Sequence, residues 1–316
     1  MANIHPEQQY LDLLAETLEK GEEQVDSGTG VKTYSVFGRQ IRFDLSEGFP
    51  LLTTKRVYWK GVLHELYWFL SGQSNIKYLV DQDVRIWDDY PYKIYKEKTG
   101  EDISKEDFIA KIKSDTAFAE AHGDLPHIYG ESWRRWPAHD GRVVDQLGWV
   151  VDELRKDPDA HNALVSSWNP EYMYSMAAKG QAARFPICHN LYQVNIKHGK
   201  VCLQLYQRSA DVFLGVPFNI GSYALLTVIL AKILGREPGE FIHTFGDLHM
   251  YENHKEQARE QLGREPHPFP TISFTQDFNS LDTFKPEFVV LNDYNPEATI
   301  KAELTVAGGY NKKLHG

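Results

Sequence analysis

The chain has 316 residues, of which 42% are hydrophobic and 25% are charged, and its formal net charge at pH 7 is −10. This length and composition are typical of a globular protein with a large core, folded as one large domain or two small ones. The negative charge argues against broad contact with nucleic-acid phosphates, although a local cationic pocket for a small anion stays compatible with it.

The cysteine count and the apolar pattern exclude further classes. The two cysteines provide neither zinc-ligand spacing nor a disulfide framework, which suits a reducing compartment. The sequence shows no apolar run of membrane-spanning length and no signal-peptide pattern. We therefore expect a cytoplasmic protein that binds neither nucleic acid nor membranes.

Periodic apolar residues and glycine stops predict the elements in chain order. Helices are predicted at 8–20, 57–71 and 221–234, each followed by a glycine. Residues 91–123 are rich in Lys, Glu and Asp and carry a capping pattern at Ser104, which predicts a helical surface insertion. Strands are predicted at 34–43, 162–168, 241–245, 271–275 and 287–291. Because no repeat or linker interrupts this order, we predict a single α+β domain over residues 1–316, with helices flanking a mixed or antiparallel sheet.

A predicted hairpin places a cysteine and an arginine close together. Its first strand covers residues 185–196, and its second strand, 201–206, leads directly into Gln207 and Arg208. A guanidinium near a thiol favours the reactive thiolate, so Cys188 is a candidate nucleophile. On this hairpin alone the alternative stays open, since a lone cysteine is more often a small core residue.

Three more side chains have both a chemical and a structural interpretation. Glu65 lies within an apolar helix, where burial would raise its pKa towards the range useful for proton transfer, unless it faces solvent. Tyr129, predicted to lie in a loop, either orients water or accepts a proton, or is a core tyrosine. Asn219 offers the donor and acceptor that read the lactam edge of a pyrimidine, or it caps the next helix.

The segment 246–254 concentrates two imidazoles, a phenol and two carboxylates. His249 and His254 lack helical i,i+4 spacing and the cysteines are distant in sequence, so a metal site has little support. Hydrogen bonding to a sugar hydroxyl is the better polar interpretation, and a solvated loop is the structural one.

The order of the motifs is more specific than any one of them. In chain order they are His-Glu-Leu-Tyr-Trp-Phe-Leu at 64–70, Ile-Trp-Asp-Asp at 86–89, Tyr-Gly at 129–130, Trp-Arg at 133–134, Cys-His at 188–189, Gln-Arg-Ser-Ala-Asp at 207–211, Val-Pro-Phe-Asn at 216–219 and Gly-Asp-x-His-x-Tyr at 246–251. This order resembles that of the thymidylate synthase family, and the resemblance covers the chain from about Tyr10 to Val306.

The resemblance implies a reaction and a set of roles. In the family, a thiolate attacks C6 of a pyrimidine nucleoside monophosphate, and C5 then takes the one-carbon unit of the co-substrate 5,10-methylenetetrahydrofolate, without a metal. By this match, the catalytic residues are Cys188 as nucleophile, Glu65 and Tyr129 in the proton and water network, and Arg208 on both phosphate and thiolate. The implied substrate-binding residues are Arg208, Ser209, Asn219, His249, Tyr251, His189, Gln207, His161 and Asn162. The implied folate-binding residues are Asp211, Trp87 and Ile86, and the implied assembly is a homodimer joined through its sheet faces.

The chain departs from the family pattern at the phosphate site. Ser27-Gly28 stands where the family usually has an arginine, and His161-Asn162 stands where the partner subunit usually lends two more. Three of the four expected arginines are therefore absent, and asparagine does not replace a bidentate guanidinium. Nearby candidates to compensate are Lys32, Lys179 and Arg184, the last two in a segment, 177–184, that is longer than its family counterpart.

Further departures lie beside the nucleophile and at the end of the chain. Ile187 replaces the usual proline and Tyr90 a common second tryptophan, and residues 307–316 extend beyond Val306, where family members typically end and seal the site with their terminal carboxylate. A looser seal admits water to the methylene intermediate, which then becomes hydroxymethyl instead of methyl. The extension is alternatively inert.

Three hypotheses follow. The first is conversion of dUMP to dTMP with release of dihydrofolate, since Asn219 favours uracil over cytosine. The second is 5-hydroxymethylation of dUMP, UMP, dCMP or CMP. The third is an inactive homologue that binds nucleotide or RNA for regulation.

Overall fold

A six-stranded mixed sheet is the centre of the computed structural model, which describes residues 4–26, 29–183 and 187–303. The strands are β1 (Glu22–Val25), β2 (Lys32–Asp44), β3 (Trp136–Pro137), β4 (Val143–Val144), β5 (Leu164–Ser166), β6 (His189–Lys197), β7 (Lys200–Asp211), β8 (Pro238–Tyr251), β9 (Thr271–Phe274) and β10 (Val289–Asn292). The main sheet has the order β1-β2-β8-β7-β6-β5, and only β7 and β8 pair in parallel. Two small antiparallel pairs, β3-β4 and β9-β10, complete the strands of the described residues.

Helices pack against the strands of the sheet and against one another. They are α1 (Gln8–Lys20), α2 (Trp59–Leu70), α3 (Lys77–Asp81), α4 (Asp89–Thr99), α5 (Lys105–Ser114), α6 (Thr116–His122), α7 (Tyr129–Arg134), α8 (Gln146–Lys156), α9 (Gly215–Ile233) and α10 (Lys255–Leu262). Short 3-10 turns lie at Leu45–Glu47, Pro170–Tyr172, Tyr174–Met176, Glu252–His254 and Pro286–Phe288. The observed α+β architecture agrees with the predicted fold class.

The central helix α9 connects the parallel strands β7 and β8 and packs against both of them and α2. Among the described residues it is the one helix long and apolar enough to cross a membrane, yet 83% of its apolar window is buried inside the protein, as in a core helix. Each Leu or Ile side chain buried there stabilises the fold by about 1.5–3 kcal/mol. At Gly221 a Cβ would lie 3.0 Å from Leu51 Cδ1 and 3.5 Å from Val62 Cγ1 of α2, so glycine allows the close approach of both side chains.

The predicted hairpin is present as β6 and β7. His198 and Gly199 form its two-residue turn with φ of 51° and 76°, as a tight hairpin of right-handed twist requires. Where β6 begins, His189 pairs with Gln207, and the N–H of Arg208 donates to the carbonyl of Cys188 at 2.8 Å. The hairpin therefore brings the cysteine and the arginine together, as predicted.

The charged stretch at 91–123 is helical, as predicted, and consists of most of α4 together with α5 and α6. Its interior is an aromatic cluster in which Phe108 lies 5.3 Å from Tyr95 and 5.7 Å from Phe118 between ring centroids. Ser104 caps α5 by accepting a hydrogen bond from the N–H of Asp107 at 3.0 Å. That this unit is an insertion relative to the family stays a prediction.

Two local predictions are wrong. Tyr129 was predicted in a loop but is the first residue of α7 and only 2% exposed; a six-residue helix is too short to show a helical period. Asn219 does not cap α9, because that helix begins at Gly215 and Asn219 lies in its second turn. Pro217 is compatible with this early start because the first turn of a helix leaves its N–H groups without partners inside the helix.

Candidate active site

Cys188 and Arg208 form the centre of the site. Arg208 Nη2 lies 3.9 Å from Cys188 Sγ, and Arg208 Nε donates to the carbonyl of Ile187 at 3.1 Å. The backbone N–H of Arg208 also donates to Asn190 Oδ1 at 3.1 Å. Burial raises the pKa of the Cys188 thiol, and the charge of Arg208 opposes this rise. The thiol of the free protein therefore carries its proton at neutral pH, and a nucleophilic attack must include its removal.

Tyr129 holds the backbone of the nucleophile. Its hydroxyl oxygen accepts the N–H of Cys188 at 3.1 Å and that of His189 at 3.3 Å. Its ring stacks on the His189 imidazole with centroids 4.7 Å apart. Burial raises the pKa of Tyr129 well above its usual value, so the phenol stays protonated.

Glu65 is a buried carboxyl, which decides between the two interpretations of this residue. It projects from α2, is 7% exposed, and accepts a hydrogen bond from Trp87 Nε1 at 2.8 Å. Burial raises the pKa of Glu65 to about 8, and the hydrogen bond from Trp87 opposes the rise. At neutral pH the group carries a proton that it can exchange, as proton transfer to or from a substrate requires.

A buried relay of hydrogen bonds fixes the amide of Asn219. Gln207 Nε2 donates to Asn219 Oδ1 at 3.1 Å, and Gln207 Oε1 pairs with His243 Nε2 at 2.8 Å. Burial lowers the pKa of His243 well below its usual value, so the neutral imidazole donates its Nε2–H to the glutamine oxygen. Gln207 therefore lies behind Asn219, and its donor sets which way the Asn219 amide points.

The neighbouring His189 is neutral as well. Burial lowers the pKa of His189 to about 4, and a hydrogen bond with Asn219 only partly opposes this shift. The side of the pocket around Asn219 is thus polar and uncharged, which suits a neutral pyrimidine ring.

A second group of polar side chains lies at the end of β8. His249 Nδ1 pairs with Asp247 Oδ1 at 2.8 Å, and Ser35 Oγ donates to Asp247 Oδ2 at 2.7 Å. Burial raises the pKa of Asp247, but the hydrogen bonds from His249 and Ser35 outweigh it and leave that pKa below its usual value. The Tyr251 ring lies 5.4 Å from that of His249. The loop interpretation of this segment is wrong up to Tyr251, because β8 pairs with β7 as far as His249 and with β2 as far as Tyr251.

Of the residues implied for folate, Trp87 contacts Glu65, and Asp211 lies on β7, the strand that also carries Arg208. Trp87 is 7% exposed and packs 5.7 Å from Tyr90, whereas Ile86 is half-buried. Asp211 ends β7, and its Oδ1 accepts the N–H groups of Phe213 at 3.0 Å and Leu214 at 3.3 Å. This carboxylate is fixed immediately before α9. Among the described residues, no group of three or more His, Cys, Asp or Glu side chains can hold a metal ion.

Comparison with known proteins decides the family. The family model described as thymidylate synthase matches residues 8–306. The chain belongs to the thymidylate synthase family. The thymidylate synthase of Rhodopseudomonas palustris (strain BisA53) is 46% identical over 304 residues, covering 96% of this chain and 99% of the relative. The thymidylate synthase of Rhizobium rhizogenes (strain K84) is 45% identical over 312 residues, with the same coverage. The resemblance stated from the motifs is confirmed.

Of the side chains expected at the phosphate site, Arg208 lies beside Cys188, whereas the others lie apart from it or outside the described residues. His161 and Asn162 are exposed before the edge strand β5, and within the described part of the chain their side chains make no hydrogen bond to the other groups of the site. Lys32 pairs with Glu23 at 2.9 Å, and Lys179 is exposed. Ser27, Gly28 and Arg184, together with the extension 307–316, lie outside the described residues.

Sequence reasoning missed three supporting residues. His243 occupies a buried position of β8 between Phe241 and Phe245, and a histidine in an otherwise apolar alternation was the available signal. In the register of β2 against β8, Ser35 pairs with His249 and Phe37 pairs with Asp247. Ser35 and Asp247 are therefore diagonal neighbours across the two strands, and their side chains meet. Such a contact depends on strand register, which one sequence does not specify.

Proposed function

We propose that this chain transfers the one-carbon unit of 5,10-methylenetetrahydrofolate to C5 of dUMP and releases dTMP and dihydrofolate. The observation that supports the proposal most strongly is the contact of Cys188 Sγ with Arg208 Nη2 at 3.9 Å, in a chain of the thymidylate synthase family. Arg208 favours the thiolate and offers its remaining donors to the substrate phosphate, with help from Ser209.

The chemistry begins with the sulfur of Cys188. The thiolate forms a bond to C6 of the pyrimidine, and the electrons of the C5–C6 double bond make C5 an enolate carbon that attacks the methylene of the folate. The proton on C5 then leaves, and the bond between the methylene and the folate nitrogen breaks, so that C5 carries an exocyclic methylene group. Hydride from the resulting tetrahydrofolate adds to this methylene and completes the methyl group, the Cys188 sulfur leaves C6, and the folate becomes dihydrofolate. Glu65 serves the proton transfers, and Tyr129 keeps the nucleophile in place.

The remaining roles follow from the pocket. Asn219, oriented by Gln207, reads the lactam edge of uracil, and His249 with Tyr251 binds the sugar. His189 lines the base side of the site. Asp211, Trp87 and Ile86 face the folate.

The alternatives have less support. The two relatives that are 45% and 46% identical carry the name thymidylate synthase, which favours a methyl over a hydroxymethyl product. The buried and protonated Glu65 and the contact of the Cys188 thiol with Arg208 argue against an inactive homologue that only binds nucleotide.

A homodimer and a cytoplasmic location belong to the same proposal. On β7 the exposed Gln204 alternates with the buried Leu203 and Leu205, so it lies on the sheet face opposite the core. There, Gln204 and Gln40 both donate to Thr244 Oγ1, at 3.2 and 2.9 Å, and form a flat polar row suited to a second copy of the sheet. A reactive free thiol suits a reducing compartment.

One assay tests the proposed reaction. The protein is incubated with 5,10-methylenetetrahydrofolate and dUMP, UMP, dCMP or CMP; products are identified by mass, and dihydrofolate is followed by absorbance. We expect methylated dUMP in equal amount to dihydrofolate, no product with Cys188→Ala, and full activity with Cys202→Ala. A hydroxymethylated base without dihydrofolate, or no turnover of any nucleotide, would contradict the proposal.

A further inference from the structure

The segment 168–183 connects β5 to the region of the nucleophile and places two aromatic rings beside Arg208. The guanidinium carbon of Arg208 lies 5.8 Å from the Trp168 ring centroid and 5.9 Å from that of Tyr174. The two rings are 6.3 Å apart. Aromatic faces attract a guanidinium at these distances. The same guanidinium is the one that reaches Cys188 Sγ, so both rings act on the group that contacts the thiol.

The backbone of Tyr174 is strained in order to place its ring. Its φ is 50°, in the left-handed region, where a bulky side chain is a rare outlier. The residue is 39% exposed, so burial of the ring recovers little of this cost. Core packing therefore does not explain why a tyrosine occupies this position, whereas contact with Arg208 does.

The segment that carries Tyr174 is anchored on the protein at a second point. Tyr172 stacks on His127 with ring centroids 3.5 Å apart and an interplanar angle of 8°. The carbonyl of Tyr172 accepts the N–H of Ala183 at 2.7 Å, which closes the segment on itself. His127 lies two residues before Tyr129, so the segment is tied to the element that also holds the nucleophile's backbone.

We propose that Tyr174 is a positioning residue that, together with Trp168, holds the Arg208 guanidinium where it serves both the Cys188 thiol and the substrate phosphate. The inference rests on the proposed function of Arg208. A long arginine side chain loses rotamer freedom when it binds an anion, and ordering it in advance removes part of that loss. The ordering of Arg208 has a larger effect in a chain with Ser27-Gly28 and His161-Asn162 in place of the other arginines, because Arg208 then contributes a larger share of the phosphate binding.

Two substitutions at position 174 separate the effect of the aromatic ring from the effect of the strained backbone. Tyr174→Gly removes the ring and is compatible with the positive φ, so we expect a thermal unfolding midpoint equal to or above that of the wild type. Tyr174→Phe keeps the aromatic face. Met176→Ala is the matched control, since Met176 lies in the same segment and is 56% exposed.

The first readout is the pH dependence of Cys188 alkylation by iodoacetamide, resolved from Cys202 by peptide mass spectrometry. The pH at the inflection is compared rather than the alkylation rate, because removing a ring also changes the access of iodoacetamide to the Cys188 sulfur. We expect Tyr174→Gly to move the inflection upwards by about half a pH unit, about a threefold loss of thiolate below it. Tyr174→Phe and Met176→Ala should superpose on the wild type.

The second readout is the calorimetric dissociation constant of dUMP. We expect Tyr174→Gly to weaken binding about tenfold, and Tyr174→Phe and Met176→Ala to change it less than twofold. An unmoved inflection and unchanged dUMP affinity in Tyr174→Gly would overturn the positioning role. If Tyr174→Gly moves the inflection but the wild-type protein does not bind dUMP, the positioning role is supported and the proposed function is overturned.

Discussion

At the scale of single residues, the proton chemistry of the site depends on a carboxyl that folding makes hard to ionise. Glu65 lies in an apolar helix and has a pKa of about 8 because it is buried. In the unfolded chain its pKa is about 4.3. Between these two values the folded protein binds the extra proton, so this group makes the free energy of unfolding fall as the pH rises. The site thus keeps a proton donor at a cost in stability that grows as the pH rises from about 4.3 to about 8.

We expect Glu65→Gln to remove this dependence. The stability of the variant relative to the wild type should increase between pH 5 and pH 8, by up to a few kcal/mol, as urea unfolding at both values measures. Turnover should fall by about 10²- to 10⁴-fold because the proton transfers lose their donor. Glu120→Gln, an exposed position, is the control. An equal stability difference at both pH values would show that Glu65 ionises normally in the folded protein.

The amide of Asn219 determines which base the site accepts. Its Oδ1 faces the Gln207 donor, so exchange of its oxygen and nitrogen would oppose two N–H donors and is disfavoured. We expect Asn219→Asp to keep the Gln207 bond but to lose the amide donor. The ratio of kcat/KM for dCMP to that for dUMP should then rise by about 100-fold or more, as competition between the two nucleotides measures. An unchanged ratio would remove Asn219 from base recognition.

At the scale of elements, local sequence patterns predicted the helices and hairpins whose formation depends mainly on residues close together in the chain. The helix α1 and the hairpin β6–β7 follow directly from apolar periodicity and a two-residue turn, and so does the meeting of Cys188 with Arg208. The full length of β8, Pro238–Tyr251, was not predictable, since its polar end is stabilised by partners on β2. Tyr129 and the relay through His243 likewise depend on tertiary packing, which periodicity does not report.

The close approach of β7 and β8 beside Arg208 requires glycine at position 246. A Cβ there would lie 2.7 Å from the carbonyl oxygen of Arg208. We expect Gly246→Ala to destabilise the fold by about 1–3 kcal/mol and to weaken dUMP binding, because the strand carrying Arg208 must shift. Gly263→Ala, whose Cβ would meet nothing closer than 3.5 Å, is the control. Urea unfolding and calorimetry measure both effects; equal behaviour of the two variants would refute the explanation.

At the scale of the whole molecule, we propose that two chains complete the phosphate site together. His161 and Asn162 are exposed shortly before the edge strand β5. In this proposal, a second subunit receives them at its own site. We expect the double substitution His161→Arg with Asn162→Arg to tighten dUMP binding about 10- to 100-fold at low salt, and less at high salt.

A control tests whether this effect comes from position or from charge alone. Ala110→Arg with Ser114→Arg adds the same charge on the exposed face of α5, away from the sheet. Equal effects of the two double variants, or a monomer by light scattering, would contradict a phosphate site completed across a dimer.

The covalent bond between Cys188 and the pyrimidine is the central claim, and trapping it is the most direct test. The protein is incubated with 5-fluoro-dUMP and 5,10-methylenetetrahydrofolate, and the adduct is located by peptide mass spectrometry. Fluorine at C5 cannot leave as a proton does, so we expect a stable complex of protein, nucleotide and folate with the mass added at Cys188 and none at Cys202. Absence of the adduct, or its attachment to another residue, would contradict the account.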